Sequence, residues 1–130
     1  RVLFRSIEAV RSNIDSRAEL LLDARPAARF YAQAPEPRLG VRGGHVPGSV
    51  SLPYKELVNA DGTLLAVPQL QSRLAEAGVR PDTRVIASCG SGATAAVILL
   101  ALAVCGYRDG ALYDGSWAEW GSRGDTPVAT

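Results

Sequence analysis

Cys89-Gly90-Ser91-Gly92-Ala93-Thr94 is the stretch of this sequence best suited to chemistry. It follows the apolar run Val85-Ile86-Ala87 and leads into the apolar stretch beginning at Ala95, so the cysteine is expected at a strand-loop-helix junction. Glycines at 90 and 92 permit backbone torsions that other residues resist, and successive N–H groups can then curl toward one point. That point is the sulfur. Unsatisfied N–H groups in the first turn of the following helix add the positive end of its dipole. Together they favour the thiolate, the nucleophilic form of cysteine, without any histidine. The same cradle accommodates the outer sulfur of a persulfide anion, one atom further out. A lone cysteine ending a core strand is otherwise a small buried hydrophobe. That bland reading suits Cys105, on the apolar end of a helix beside Gly106, whereas the flanking glycines and helix favour function for Cys89.

Neighbouring chemistries fit less well. The loop lacks the Gly-Lys-Ser/Thr ending of a nucleotide-binding loop. A cysteine phosphatase needs an arginine six residues after its nucleophile to grip phosphate bidentately, and position 95 is alanine. His45, the only histidine, precedes the turn signal Val46-Pro47-Gly48 and is not read as a dyad partner of Cys89. One histidine and two separated cysteines supply no ligand set, so neither a metal nor a cofactor is expected. Trp117 and Trp120, at i and i+3, read as core packing rather than an aromatic cage.

The elements that must hold the loop are legible from apolar periodicity. Ile7, Val10 and Ile14 stand at helical spacing, and Leu20-Leu21-Leu22, ended by Asp23, reads as a buried strand. Val50-Ser51-Leu52, Arg84 to Ala87 and Ala111-Leu112-Tyr113 are further short runs bounded by Gly, Pro or Asp. Pro68 opens a helix that puts Leu70, Leu74 and Ala77 on one face and ends at Gly78. Ala95 to Val104, closed by Gly106, is a second, and Ser116-Trp117-Ala118-Glu119 has the capping-box spacing of a third, short one. Strands alternating with helices predict an α/β fold with a mainly parallel central sheet and helices on both faces. Ligands bind beyond the carboxyl ends of such strands, where the Cys89 loop falls. Arg1 to Arg5 are expected to be linker and Gly121 to Thr130 a polar tail, both ends fraying.

A chain of 130 residues has room for one domain. With 14 basic against 13 acidic residues and a net charge of +1, no global field points to nucleic acid or a membrane. The longest apolar run, Ala95 to Cys105, is about half of the ~20 residues that span a bilayer. A Cys89–Cys105 disulfide would join two ends of one helix, beyond the ~7 Å limit between Cα atoms. Reduced thiols and a cytoplasmic location are the expectation.

Four motifs in order resemble the rhodanese superfamily: Asp23-Ala24-Arg25, Gly44-His45-Val46-Pro47-Gly48-Ser49, the Cys89 loop, and Asp114-Gly115-Ser116-Trp117-Ala118-Glu119-Trp120. The similarity spans about residues 6 to 121, and the resemblance implies the rhodanese-like α/β fold. Cys-Gly-Ser-Gly-x-Thr is similar to the loop of the mercaptopyruvate sulfurtransferase branch, whereas thiosulfate-preferring members usually carry Cys-Arg-Lys-Gly-x-Thr. The resemblance implies a sulfurtransferase that moves sulfur from 3-mercaptopyruvate through a Cys89 persulfide to a thiol, cyanide or a thioredoxin-like dithiol. It implies Ser91 as a catalytic proton relay and Arg29 and Arg38 as holders of the donor's carboxylate and keto oxygen. Gly90, Gly92, Ala93 and Thr94 complete the substrate-binding loop, while Asp23, Arg25 and His45 are implied to be structural. Ala93 replaces a more common branched residue, and Ala32-Gln33-Ala34 a glycine-containing turn. The chain resembles the C-terminal, catalytic half of two-domain members, which implies an N-terminal rhodanese-like domain as a partner. Two alternatives stand beside this reading: a thiosulfate sulfurtransferase or persulfide carrier, and a non-catalytic module that binds anions or partners.

Overall fold

In the computed structural model of the chain, residues 3–91 and 93–130 are described. Five short strands, β1 (Leu3–Arg5), β2 (Leu20–Asp23), β3 (Val50–Ser51), β4 (Val85–Ser88) and β5 (Ala111–Tyr113), pair in the order β1-β5-β4-β2-β3. Every pairing among them is parallel. β4 lies at the centre with all its residues buried, which is why it reads as a continuous apolar run rather than an alternating one. Helices α1 (Ile7–Ser16) and α5 (Ser116–Trp120) cover one face, where Val10, Ile86, Tyr113, Trp117 and Trp120 pack together. Helices α3 (Val67–Glu76) and α4 (Ala95–Val104) cover the other, around Leu22, Leu70, Leu74, Ala87, Ile98 and Leu102. The short helix α2 (Ala27–Phe30) and a 3-10 turn at Tyr54–Leu57 follow the carboxyl ends of β2 and β3.

Local signals account for most boundaries. Ser6 caps α1 by accepting the Ala9 N–H at 3.1 Å. Pro68 sits in the first turn of α3, and Gly78 just beyond it takes φ +95°, a torsion that favours glycine. The Ala95 to Cys105 run is α4 and its C-cap, and no helix among the described residues is long and apolar enough to cross a membrane.

Three expectations are corrected. Leu3–Arg5 is an edge strand rather than linker: Leu3, Phe4 and Arg5 register with Ala111, Leu112 and Tyr113, and Arg5 pairs with Glu19 at 2.9 Å. Residues 121–130 do not fray. Arg42 donates to the carbonyls of Trp120, Gly121 and Thr126, each at 3.1 Å, and the Trp120 indole N–H binds the Pro127 carbonyl at 2.8 Å. His45 and Ala129 exchange two backbone hydrogen bonds of 2.9 Å. A polar tail with Gly and Pro reads locally as loose, but its carbonyls are satisfied by an arginine some 80 residues away in sequence. Lastly, Ser116 is not the N-cap of α5: Gly115 holds that position, and the Ser116 hydroxyl is turned inward.

Candidate active site

The ends of β2 and β4 converge because Asp23 registers with Ser88. From β2 the chain delivers a buried charge network. The Asp23 carboxylate accepts the Arg25 backbone N–H at 3.0 Å and its guanidinium at 2.8 and 3.1 Å. Arg25, 1% exposed in its side chain, also donates to the Gly44 carbonyl at 2.6 Å and lies 4.6 Å from the centre of the Trp117 ring. This is the scaffold role that the resemblance implies. Arg29, from α2, grips Glu36 with two parallel bonds, Nε to Oε2 at 3.0 Å and Nη2 to Oε1 at 2.9 Å. Glu36 also faces Arg25 Nη1 at 3.4 Å. The Glu36 hydrogen bond pushes the Arg29 guanidinium up, with smaller attractions to Asp23 and Cys89.

Between these groups and the Cys89 loop lies a cavity of about 340 Å³ whose walls include Arg25, Arg29, Glu36, Arg38, Tyr54, Lys55, Gly90, Ser91 and Thr94. Of the expected site residues, Arg29, Arg38, Gly90, Ser91 and Thr94 are therefore brought together. Ala93 is exposed and off the wall, and Gly92 lies outside the described residues. The backbone N–H groups of Gly90, Ser91, Ala93 and Thr94 bond to no other described residue. A Cβ at position 90 would lie 2.7 Å from Arg29 Nη2, so a larger residue there displaces that guanidinium. Electrostatically, Asp23 and Glu36 offset Arg25 and Arg29, whereas Arg38 and Lys55 form no ion pair with any described residue. Those two cations give the cavity its attraction for anions.

Cys89 itself is 0% exposed and belongs to the apolar core cluster that also holds Ala24, Leu52 and Ala95. Its N–H donates to Ser116 Oγ at 3.2 Å, its carbonyl accepts the Trp117 N–H at 2.8 Å, and the Gly90 carbonyl accepts the Ala118 N–H at 2.8 Å. The first turn of α5 thus pins the start of the loop. Ser116 Oγ donates to the Tyr113 carbonyl at 2.8 Å and stands 4.0 Å from Cys89 Sγ. Ser116 is fully buried with φ +54°, a torsion that costs a non-glycine residue of the order of 1–3 kcal/mol. His45 takes no part in the site: its Nδ1 bonds the Phe30 carbonyl at 2.8 Å and its ring stacks on Phe30 at 3.7 Å.

The sequence reading missed three residues. Ser116 is disguised by the capping-box spacing, and only the tertiary approach of β5 to β4 reveals its direction. Glu36 stands inside a motif noted for its arginines. Lys55 carries one signal, being the only lysine beside 13 arginines, and nothing in its local context ties it to the Cys89 loop.

The chain is 51% identical over 108 residues to 3-mercaptopyruvate sulfurtransferase of Escherichia coli strain K12, a match covering 83% of this chain and 38% of that protein. It is 37% identical over 123 residues to thiosulfate/3-mercaptopyruvate sulfurtransferase 1, mitochondrial, of Arabidopsis thaliana, covering 95% of this chain and 32% of the relative. The crystal structure of SseA from Escherichia coli superposes with a TM-score of 0.74 at 40% identity, over 88% of this chain and 42% of that one. The chain thus spans little more than a third of the curated relatives it matches. The rhodanese-like domain family matches residues 6–123, and with the parallel sheet and the cysteine loop in the places described, the chain belongs to that family.

Proposed function

We propose that this domain transfers sulfane sulfur from 3-mercaptopyruvate through a persulfide on Cys89. The observation that carries the reading is the cavity bounded on one side by Gly90, Ser91 and Thr94, whose N–H groups bond to no described residue, and on the other by Arg38 and Lys55, unpaired among the described residues. The Cys89 thiolate attacks the donor's sulfur, the carbon–sulfur bond breaks with its electron pair going to carbon, and pyruvate leaves as its enolate. Ser91, on the cavity wall, relays the proton that the enolate needs. An acceptor thiolate then attacks the outer sulfur, and the Cys89 thiolate is regenerated, so ping-pong kinetics follow. Because Cys89 is fully buried, each half-reaction includes a local opening that exposes its sulfur. Relatives more than twice as long favour the reading that a second rhodanese-like domain completes the cavity in the native protein, and the reduced thiols favour a cytoplasmic location.

Mass spectrometry after incubation with 3-mercaptopyruvate should show a gain of about 32 Da, with equimolar pyruvate released. A chain that gains no mass from any sulfur donor is not a sulfurtransferase. Thiosulfate is the second reading, favoured by the two cations, which suit a dianion; single-turnover rates with both donors under identical conditions decide between them. Arg38→Ala and Lys55→Ala should each raise the KM for the anionic donor about ten-fold, roughly 1.4 kcal/mol of lost attraction, with kcat within about two-fold. A change in kcat with KM unmoved would show that neither cation binds the donor.

A further inference from the structure

We infer that Ser116 is a positioning residue that holds the Cys89 main chain and supplies a switchable hydrogen-bond donor to its sulfur, a role that deepens the sulfur-transfer reading and rests on it. Among the described residues, three other than glycine have positive φ: Arg17, Ala32 and Ser116. The first two are exposed, and Arg17 merely ends α1, whereas Ser116 has no exposed surface. A buried position at φ +54° is one that glycine fills without strain, and a glycine stands one residue earlier. A serine there, with its oxygen bonded to the main chain of the reacting residue, is the pattern of strain kept for use.

The hydrogen-bond geometry shows the use. With its proton given to the Tyr113 carbonyl at 2.8 Å, the hydroxyl oxygen presents lone pairs to the Cys89 N–H at 3.2 Å and toward Sγ at 4.0 Å. When the sulfur carries negative charge it becomes the stronger acceptor, and rotation about the Cβ–Oγ bond turns the proton from the carbonyl to the sulfur. No heavy atom has to move far. The N–H bond persists through this rotation, so the first residue of the loop stays fixed while the sulfur changes charge. The neighbouring Trp117 and Ala118 N–H groups, bonded to the Cys89 and Gly90 carbonyls, hold the same two residues from the same helix end.

The test uses the full chain as Ser116→Gly and Ser116→Ala, each also in a Cys105→Ser background. Single-turnover persulfide formation is followed by mass over a range of 3-mercaptopyruvate concentrations, alkylation of Cys89 by iodoacetamide is timed separately, and folding is monitored by thermal melting. Both variants are expected to lose at least about ten-fold in maximal rate with the half-saturating concentration unmoved, and alkylation should slow by a similar factor. Ser116→Gly is expected to melt close to the wild-type temperature, since relief of the torsion offsets the lost hydrogen bonds. A purely structural serine gives the opposite: Ser116→Gly within about two-fold of wild type in both assays overturns the inference, as does a loss confined to Ser116→Ala and matched by a lower melting temperature. If wild type takes sulfur from no donor, the sulfur-transfer reading fails alone, and the alkylation rates still decide for or against Ser116 by the same factors.

Discussion

Replacing Cys89 with serine is expected to abolish the 32 Da gain and all sulfur transfer, while Cys105→Ser retains both. Serine is a near match in size, and its hydroxyl would occupy the same buried, largely apolar surroundings, within reach of Ser116. The fold should therefore survive with a loss of about 1–3 kcal/mol for burying the more polar group. Oxygen forms no stable persulfide analogue and is scarcely ionised near neutrality, so the chemistry cannot proceed. Cys105 cannot substitute. It lies beyond the far end of α4, a ten-residue helix about 15 Å long, and burial pushes its thiol up, away from the reactive thiolate. Mass analysis of the two single variants after donor treatment is the measurement. A persistent gain in Cys89→Ser, or its disappearance in Cys105→Ser, would place the sulfur on the wrong residue and remove the site assignment.

What could be read from the sequence divides along the range of the interactions involved. The strands at Leu20, Val85 and Ala111 and the helices at Ile7, Pro68 and Ala95 are set by apolar spacing, proline and glycine within a few residues, and they stand where that spacing puts them. The Cys89 loop was legible for the same reason, since its glycines and the following helix are contiguous. Contacts between segments far apart were not. Nothing near Gly121 announces that Arg42 satisfies its carbonyl, and nothing near Leu3 announces that β5 needs a partner on its open edge. Ser116 is the instructive case: a capping-box spacing is a local cue, and it lost to a long-range demand, the Cys89 N–H at 3.2 Å. The burial of Cys89 was equally invisible, because the same N–H cradle could have left the sulfur facing the cavity. The arginines of the cavity were read through resemblance, and the structure adds that Arg29 is committed to Glu36, whereas Arg38 and Lys55 line the cavity without an ion pair to any described residue.

Asp23→Ala is expected to be the most destabilising of the single substitutions considered, at about 3–5 kcal/mol. The reason is what it leaves behind. Arg25 would keep its Gly44 and Glu36 contacts but lose the carboxylate that neutralises it, as a guanidinium 1% exposed against the Trp117 ring. A domain of this size has about 5–15 kcal/mol in total, so the melting temperature should fall by roughly 10–20 °C. The consequence for the site follows from the shared acceptor. Deprived of Asp23, Arg25 competes harder for Glu36, which both arginines already contact, and Arg29 is drawn out of the geometry that places its Nη2 beside Gly90. The KM for an anionic donor should rise even below the melting transition. Arg25→Met separates the two explanations. If the cost of Asp23→Ala is an uncompensated buried charge, the double variant Asp23→Ala/Arg25→Met should recover at least half of the lost stability, because an apolar side chain of similar length needs no counter-charge. If the double variant is less stable than either single one, Asp23 acts through its bond to the Arg25 backbone N–H and the local turn rather than through charge, and the coupling to Arg29 would vanish with it.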